Sequence, residues 1–171
     1  IYIFGAQLEQ KSYSTSYIPT TQGAISTRLA DIATNSGNAS LINSEEGTFY
    51  VDASTLVNGQ NGRITISDGT ITNRVSIEWD VLENTIKAFM GTSGNLVTSS
   101  YNQTLSNKIA ISYKENDFRM FINGIFIGVD TSTGTLSSMD RIDLSNYDNT
   151  NFFYGNLKAL TVFKTALTDE Q

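Results

Sequence analysis

In the stretch from Ser76 to Thr85, SIEWDVLENT, three carboxylates stand close together: Glu78, Asp80 and Glu83. Two carboxyl groups flanking a glycosidic bond can cleave it with retention when they lie about 5–5.5 Å apart. The element that carries them decides whether they can do so. Val75, Ile77 and Trp79 alternate with Arg74, Ser76, Glu78 and Asp80, the period of a half-buried strand. If the apolar set turns inward, Glu78 and Asp80 turn outward. Glu83 is offset from Glu78 by five residues, which sends it to the opposite face unless a bulge intervenes. Residues 81–84 also read as a turn, so Glu83 is expected at a hairpin tip. A solvated strand face with an acid at the turn is the simpler reading, and no catalysis is expected.

The same alternation recurs along the chain. Phe49, Val51 and Ala53 form one apolar set, Ile64 and Ile66 another, followed by Ile86, Ala88 and Met90, and by Ile109, Ile111 and Tyr113. Turn pairs punctuate them: Asn58-Gly59, Asn61-Gly62, Asp68-Gly69, the run 91–95, and Asn123-Gly124. The last of these separates 118–122 from 125–129 and suits a type I′ hairpin, whose central residues need positive φ. Ile142, Leu144 and 157–163 supply further strands. Thr168 and Gln171 have capping-box spacing and predict a short helical turn at the C-terminus. Many short strands joined by turns predict an all-β fold, an antiparallel two-sheet sandwich.

Composition narrows the chemistry. With 171 residues the chain suits one domain with a real core. Charged residues make up only 16%, so Ser, Thr, Asn and Gly must cover much of the surface. Lys and Arg number 11 against 17 Asp and Glu, a net charge of −6 that argues against nucleic acid and anionic membrane as partners. Cysteine and histidine are absent, which excludes disulfides, thiol chemistry and histidine-based triads. A metal would be a hard, oxygen-bound ion such as a structural calcium. No apolar run is long enough to span a bilayer, and the apolar start, residues 1–4, lacks the features of a signal peptide.

TRLADIA (27–33), GTFYVDAS (47–54), NRVSIEWD (73–80), NTIKAF (84–89), FRMFINGIFIG (118–128) and LKALTVFKTALTDEQ (157–171) together resemble a laminin-G-like, concanavalin A-like lectin domain. The series is similar to modules of phage tail proteins and of bacterial polysaccharide-degrading enzymes. The resemblance spans 24–171 and implies a jelly roll of two stacked sheets. Residues 1–23, with GAQLEQKSYSTSYIPT, resemble the exit of a preceding module, or else form an N-terminal edge strand and loop. The spacing Glu78-x-Asp80-x-x-Glu83 resembles the catalytic motif of laminarinases and other family-16 glycosidases, whose chains are longer and wall a cleft with extra loops. The resemblance implies a non-catalytic carbohydrate-binding module that attaches a larger modular protein to polysaccharide. A structural or adhesion domain of a phage tail fibre or bacterial adhesin is the alternative, and a glycoside hydrolase using Glu78, Asp80 and Glu83 comes third. Polysaccharide and neighbouring domains of the same chain are the expected partners, in an extracellular or virion-associated setting.

Two groups of residues are candidates for binding. If strands pair across the turns, Arg74 and Glu78 lie beside Lys87 and Phe89, and Arg119, Phe121 and Asn123 are expected on the same side. An aromatic ring among charged and amide groups suits a sugar, whose C–H face stacks while its hydroxyls take directed hydrogen bonds. The other reading buries Phe89 or Phe121 in the core. The run 145–155 gathers Tyr147, Asp148, Asn149, Asn151, Phe153 and Tyr154, which suit sugar or calcium, or simply a polar turn. Trp79, in phase with Val75 and Ile77, is expected in the core.

Overall fold

Residues 37–98 and 101–168 are described by the structure, a computed structural model. The segment 1–23, the run TRLADIA and most of the expected C-terminal helical turn lie outside them. Ten strands form: Glu46–Thr55 (β1), Gly62–Ser67 (β2), Arg74–Trp79 (β3), Ile86–Met90 (β4), Gly94–Thr98 (β5), Asn107–Lys114 (β6), Phe118–Ile122 (β7), Ile125–Asp130 (β8), Arg141–Asp143 (β9) and Gly155–Phe163 (β10). They build two antiparallel sheets of five strands, ordered β10-β1-β6-β7-β8 and β5-β4-β3-β2-β9. This is the two-sheet sandwich expected from the alternation, and the jelly roll that the resemblance implied. No described element is a helix long and apolar enough to cross a membrane.

The apolar sets meet between the sheets as read from the sequence. Phe49, Val51 and Ala53 face Val75, Ile77 and Trp79 across a core that also takes Ile64, Ile66, Ile86, Ile109, Ile111, Phe118 and Met120. Trp79 is fully buried, with Phe153 packed on it at 4.7 Å between ring centroids. Along one edge β5 lies near β8, and the Asn95 amide donates to Asp130 Oδ2 across the gap at 3.2 Å. β5 was not anticipated; Gly94 and Asn95 read as turn residues, yet they begin the strand that pairs with β4.

The turns use residues that tolerate the left-handed region. Asn123 and Gly124 both have positive φ, 54° and 80°, as the type I′ hairpin between β7 and β8 requires. Asn123 also accepts from the Lys108 amide and donates to Asn107, so its side chain fastens the turn to β6. Gly47 has a different reason to be glycine. A Cβ there would overlap the Tyr113 hydroxyl and come within 2.8 Å of the Phe163 carbonyl. That hydroxyl is fixed in place, donating to the Asn43 carbonyl at 2.7 Å.

Gly47→Ala therefore forces backbone apart where β1 meets β10. It should lower stability by about 1–3 kcal/mol, the usual cost of overpacking. Urea unfolding checks this; an unchanged midpoint would mean that β10 yields without cost.

Candidate functional site

Two outer faces result from this sandwich, one on each sheet. On the β2-β3-β4 face the register sets the residues in rows. Arg63, Glu78 and Lys87 stand side by side, and Thr65, Ser76 and Phe89 form the next row. Arg74, Glu78, Lys87 and Phe89 are thus brought together as expected. The face is not open strand, however: Arg74, Ser76, Glu78 and Thr65 are all buried.

The cover is the loop 144–153. It leaves β9 and closes on itself through the Phe153 amide, which donates to the Leu144 carbonyl at 2.9 Å. It is then fixed to β2 by the Arg63 amide donating to the Asn151 carbonyl at 2.9 Å. Asn149 and Asn151 adopt positive φ to make the bend, a conformation asparagine tolerates better than most residues. Asn146 points down, and its Oδ1 accepts from both Arg63 and Arg74 at 3.1 Å. Asp148 orients that amide by accepting from Asn146 Nδ2 at 2.9 Å, and it also accepts from the Thr150 hydroxyl and amide. The Thr150 hydroxyl contributes most to holding the Asp148 carboxyl below its ordinary value. Its Oδ1 is spent on closing the loop, which leaves only Oδ2 for the calcium role considered from sequence. Among the described residues no three acidic or histidine or cysteine side chains converge to hold a metal.

The aromatic rings are already engaged. The Arg63 and Arg74 guanidinium carbons lie 5.1 and 5.3 Å from the Phe89 ring centroid, and Arg74 lies 5.2 Å from that of Tyr147. Phe89 is thus a stacking surface for arginine rather than a bare shelf for sugar. Tyr147 belongs to this roof; Tyr154 does not, being exposed where the chain enters β10 of the other sheet. Arg63 had not been singled out from the sequence. Its place follows from pairing β2 with β3 across the Asp68-Gly69 turn, which sets it opposite Glu78.

The three carboxylates separate as the turn reading implied. Glu78 pairs with Arg63 and with Lys87, and Lys87 also pairs with Asp80. Burial pushes the Glu78 carboxyl up, the Arg63 charge only partly opposing it. Burial acts the same way on Asp80, but bonds from Lys87 and the Leu82 amide outweigh it and hold that carboxyl below its ordinary value. Glu83 sits exposed in the 81–84 turn. A residue not anticipated, Gln103, braces that turn from beneath by donating to the carbonyls of Asp80, Leu82 and Thr85.

Arg119 and Phe121 correct the sequence reading. They lie on β7, in the other sheet, so Arg74, Lys87 and Arg119 do not share a face. Asn123 lies in the turn that follows β7. On that face one row runs Thr161, Tyr50, Ala110, Phe121, Phe126, and the next runs Phe163, Thr48, Ser112, Arg119, Val129. Small Ala110 and Ser112 form a floor between taller neighbours. The result is a half-open groove of about 560 Å³, lined by Tyr50, Phe121 and Phe163 with the hydroxyl residues Thr48, Ser112 and Thr161. Its far end is closed by 165–168, where the Leu167 amide donates to Thr48 Oγ1. Phe121 is half-buried and stacks on Phe126 at 5.3 Å, so neither it nor Phe89 is a core residue.

No protein-family model matches the chain, and no curated protein matches it in sequence. Solved structures do match. The CBM40 of the Ruminococcus gnavus IT-sialidase, bound to α2,3 sialyllactose, aligns with a TM-score of 0.61 at 12% identity, over 82% of this chain and 94% of that one. Domain 4 of AbnA, a GH43 extracellular arabinanase from Geobacillus stearothermophilus, in complex with arabinotriose, aligns at 0.56 and 13%, over 77% and 66%. The carbohydrate-binding module CBM66 from Bacillus subtilis aligns at 0.53 and 10%, over 70% and 76%. At such identities the likeness is one of fold: the domain shares the two-sheet β-sandwich of these modules.

The Asp80 geometry carries a pH dependence. A carboxyl held below its ordinary value adds stability that is full above that value and is lost as pH falls through the native one. The stability gap between wild type and Asp80→Asn should therefore hold steady from neutral pH to about 5. It should then close as the pH falls through and below 3.8, the ordinary value for this group. Urea midpoints across that range test it; a gap unchanged in strong acid would show that the Lys87 pair stabilises nothing.

Proposed function

We infer that this domain is a non-catalytic carbohydrate-binding module, and that its sugar lies in the groove between Tyr50 and Phe121. The observation that carries the reading is the row across the sheet, with Ala110 as floor and an aromatic ring on each side. Two intervals of strand spacing separate the Tyr50 and Phe121 backbones by about 9.6 Å. One sugar ring fits between, with an aromatic side chain within van der Waals reach on either hand. The hydroxyls of Ser112 and Thr161 supply directed hydrogen bonds along the same trough, that of Thr48 being engaged by the Thr165 carbonyl and the Leu167 amide. A volume of 560 Å³ is in the usual range of small-ligand clefts, about 300–1,000 Å³. The fold shared with modules solved bound to sialyllactose and arabinotriose supports the reading.

Each ring or hydroxyl contact contributes about 1 kcal/mol, so binding per site is weak and gains from long chains or repeated modules. That suits a domain attaching a larger extracellular or virion-borne protein to polysaccharide. A hydrolytic role is disfavoured by the acids themselves. Glu78 and Asp80 are buried beneath Lys87 and Arg63, and Glu83 stands apart on its turn. A purely structural role has one observation in its favour. Phe126, Val129 and Phe163 are exposed on the groove face and would suit packing against a neighbouring module.

Affinity-gel electrophoresis against a panel of polysaccharides separates these readings. Tyr50→Ala and Phe121→Ala should each lose retention while melting shifts by no more than ~2 °C, since both side chains stand outside the core. Phe89→Ala should leave that retention intact and cost stability instead, because it removes the surface on which two arginines stack. No retention on any glycan would favour the structural role. Release of reducing ends, abolished by Glu78→Gln, would restore the hydrolase.

A further inference from the structure

On the face opposite the groove, Arg74 presents an unusual electrostatic situation. It is only 7% exposed, yet no carboxylate lies within ion-pairing distance of it among the described residues. Buried charges are ordinarily paired, because a guanidinium taken out of water without a counter-charge is costly. Its bonds go to neutral oxygens: Nε to the Gly91 carbonyl at 3.4 Å and Nη1 to Asn146 Oδ1 at 3.1 Å. Nη2 has no acceptor among the described residues. The neighbouring acids are committed elsewhere, Glu78 to Arg63 and Lys87, Asp148 to Asn146 and Thr150.

The surroundings hold this group ready. Its guanidinium carbon lies over the rings of both Phe89 and Tyr147, and Arg63 is drawn alongside by the shared Asn146 oxygen. Beneath them the hydroxyls of Thr65 and Ser76, fully buried and opposite each other in register, also lack hydrogen-bond partners. Arg63 has Glu78 as its counter-charge, but Arg74 shares only the neutral Asn146 oxygen with it, above two hydroxyls that have no partner. Burial, and then the Arg63 charge, depress the proton affinity of Arg74, and the Glu78 and Asp148 charges oppose this only in part.

We propose that Arg63 and Arg74, under the 144–153 loop, form a second ligand site that takes an anionic oxygen group borne on a sugar, a carboxylate or a sulfate ester. The planar guanidinium fork matches either group through paired N–H donors, which a lysine cannot reproduce. Binding here uses none of the groove residues, so it stands or falls separately from the reading of the opposite face. The domain as a whole carries a net charge of −6 and repels an anionic polymer at long range. Retention of such a polymer would thus report a local site rather than general attraction.

The test is affinity-gel electrophoresis of the whole chain in polygalacturonate, dextran sulfate and uncharged dextran. Wild type should be retarded by one of the two charged polymers beyond uncharged dextran, the polymer identifying carboxylate or sulfate as the group. Arg74→Lys and Arg63→Gln should each weaken that retardation by about tenfold, while Phe121→Ala leaves it in place. Equal mobility of wild type in charged and uncharged gels overturns the proposal. So does undiminished retardation of Arg74→Lys, or a loss in Phe121→Ala as large as in the arginine variants. Should neither arginine variant fold, thermal unfolding of wild type decides, at matched ionic strength, with galacturonate, galactose 6-sulfate or galactose. A rise with either acidic sugar and not with galactose supports the site; no rise with either overturns it.

Discussion

A β-strand sends alternate side chains to opposite sides, and two sheets stacked about 10 Å apart must spend one of those sides on each other. Everything else in this molecule follows from that division. Each strand gives its odd or even set to a common core and is left with one set to use. Because the sheets present their remaining sets in opposite directions, whatever β3 offers outward cannot meet what β7 offers outward. The chain therefore has two separate chemical surfaces with a shared apolar interior between them.

The two surfaces have been finished differently. On the β2-β3-β4 side a loop returns over the strands, and polar groups that would otherwise face water are enclosed under it. Charge, ring and amide are there interlocked: Phe89 supports the arginines, Asn146 joins them, and Asp148 orients Asn146. On the other side no described loop lies across the trough; small residues in the middle strand make the depression and taller ones wall it.

Period and turn chemistry made most of the sandwich readable in advance. The apolar sets at 49–53, 75–79 and 109–113 point to the core because parity within a strand is fixed by the pleat. The grouping of Arg74, Glu78, Lys87 and Phe89 was also legible, since a short hairpin sets β3 against β4 with little choice of register. Parity does not say which sheet a strand joins, and for that reason Arg119 and Phe121 were expected with the wrong companions. The burial of Arg74 was illegible for a related reason: the loop that covers it returns from some 70 residues further along, and nothing local to β3 encodes that contact. β5 escaped notice because its first two residues, Gly94 and Asn95, have turn composition and only pairing with β4 makes them strand.

The row Thr161, Tyr50, Ala110, Phe121, Phe126 has a further consequence. Each of its members belongs to a different strand and lies outside the core, so each can be exchanged with little penalty to folding. Five positions outside the core, each coupled only to its neighbours in the row as Phe121 is to Phe126, amount to a writable line: the size and polarity of the trough can drift while the sandwich beneath stays the same. The arginine face has no such freedom, because there a change at one residue strands its neighbours. Over evolutionary time the first surface is free to diversify in what it recognises, and the second is held to a single arrangement or lost whole.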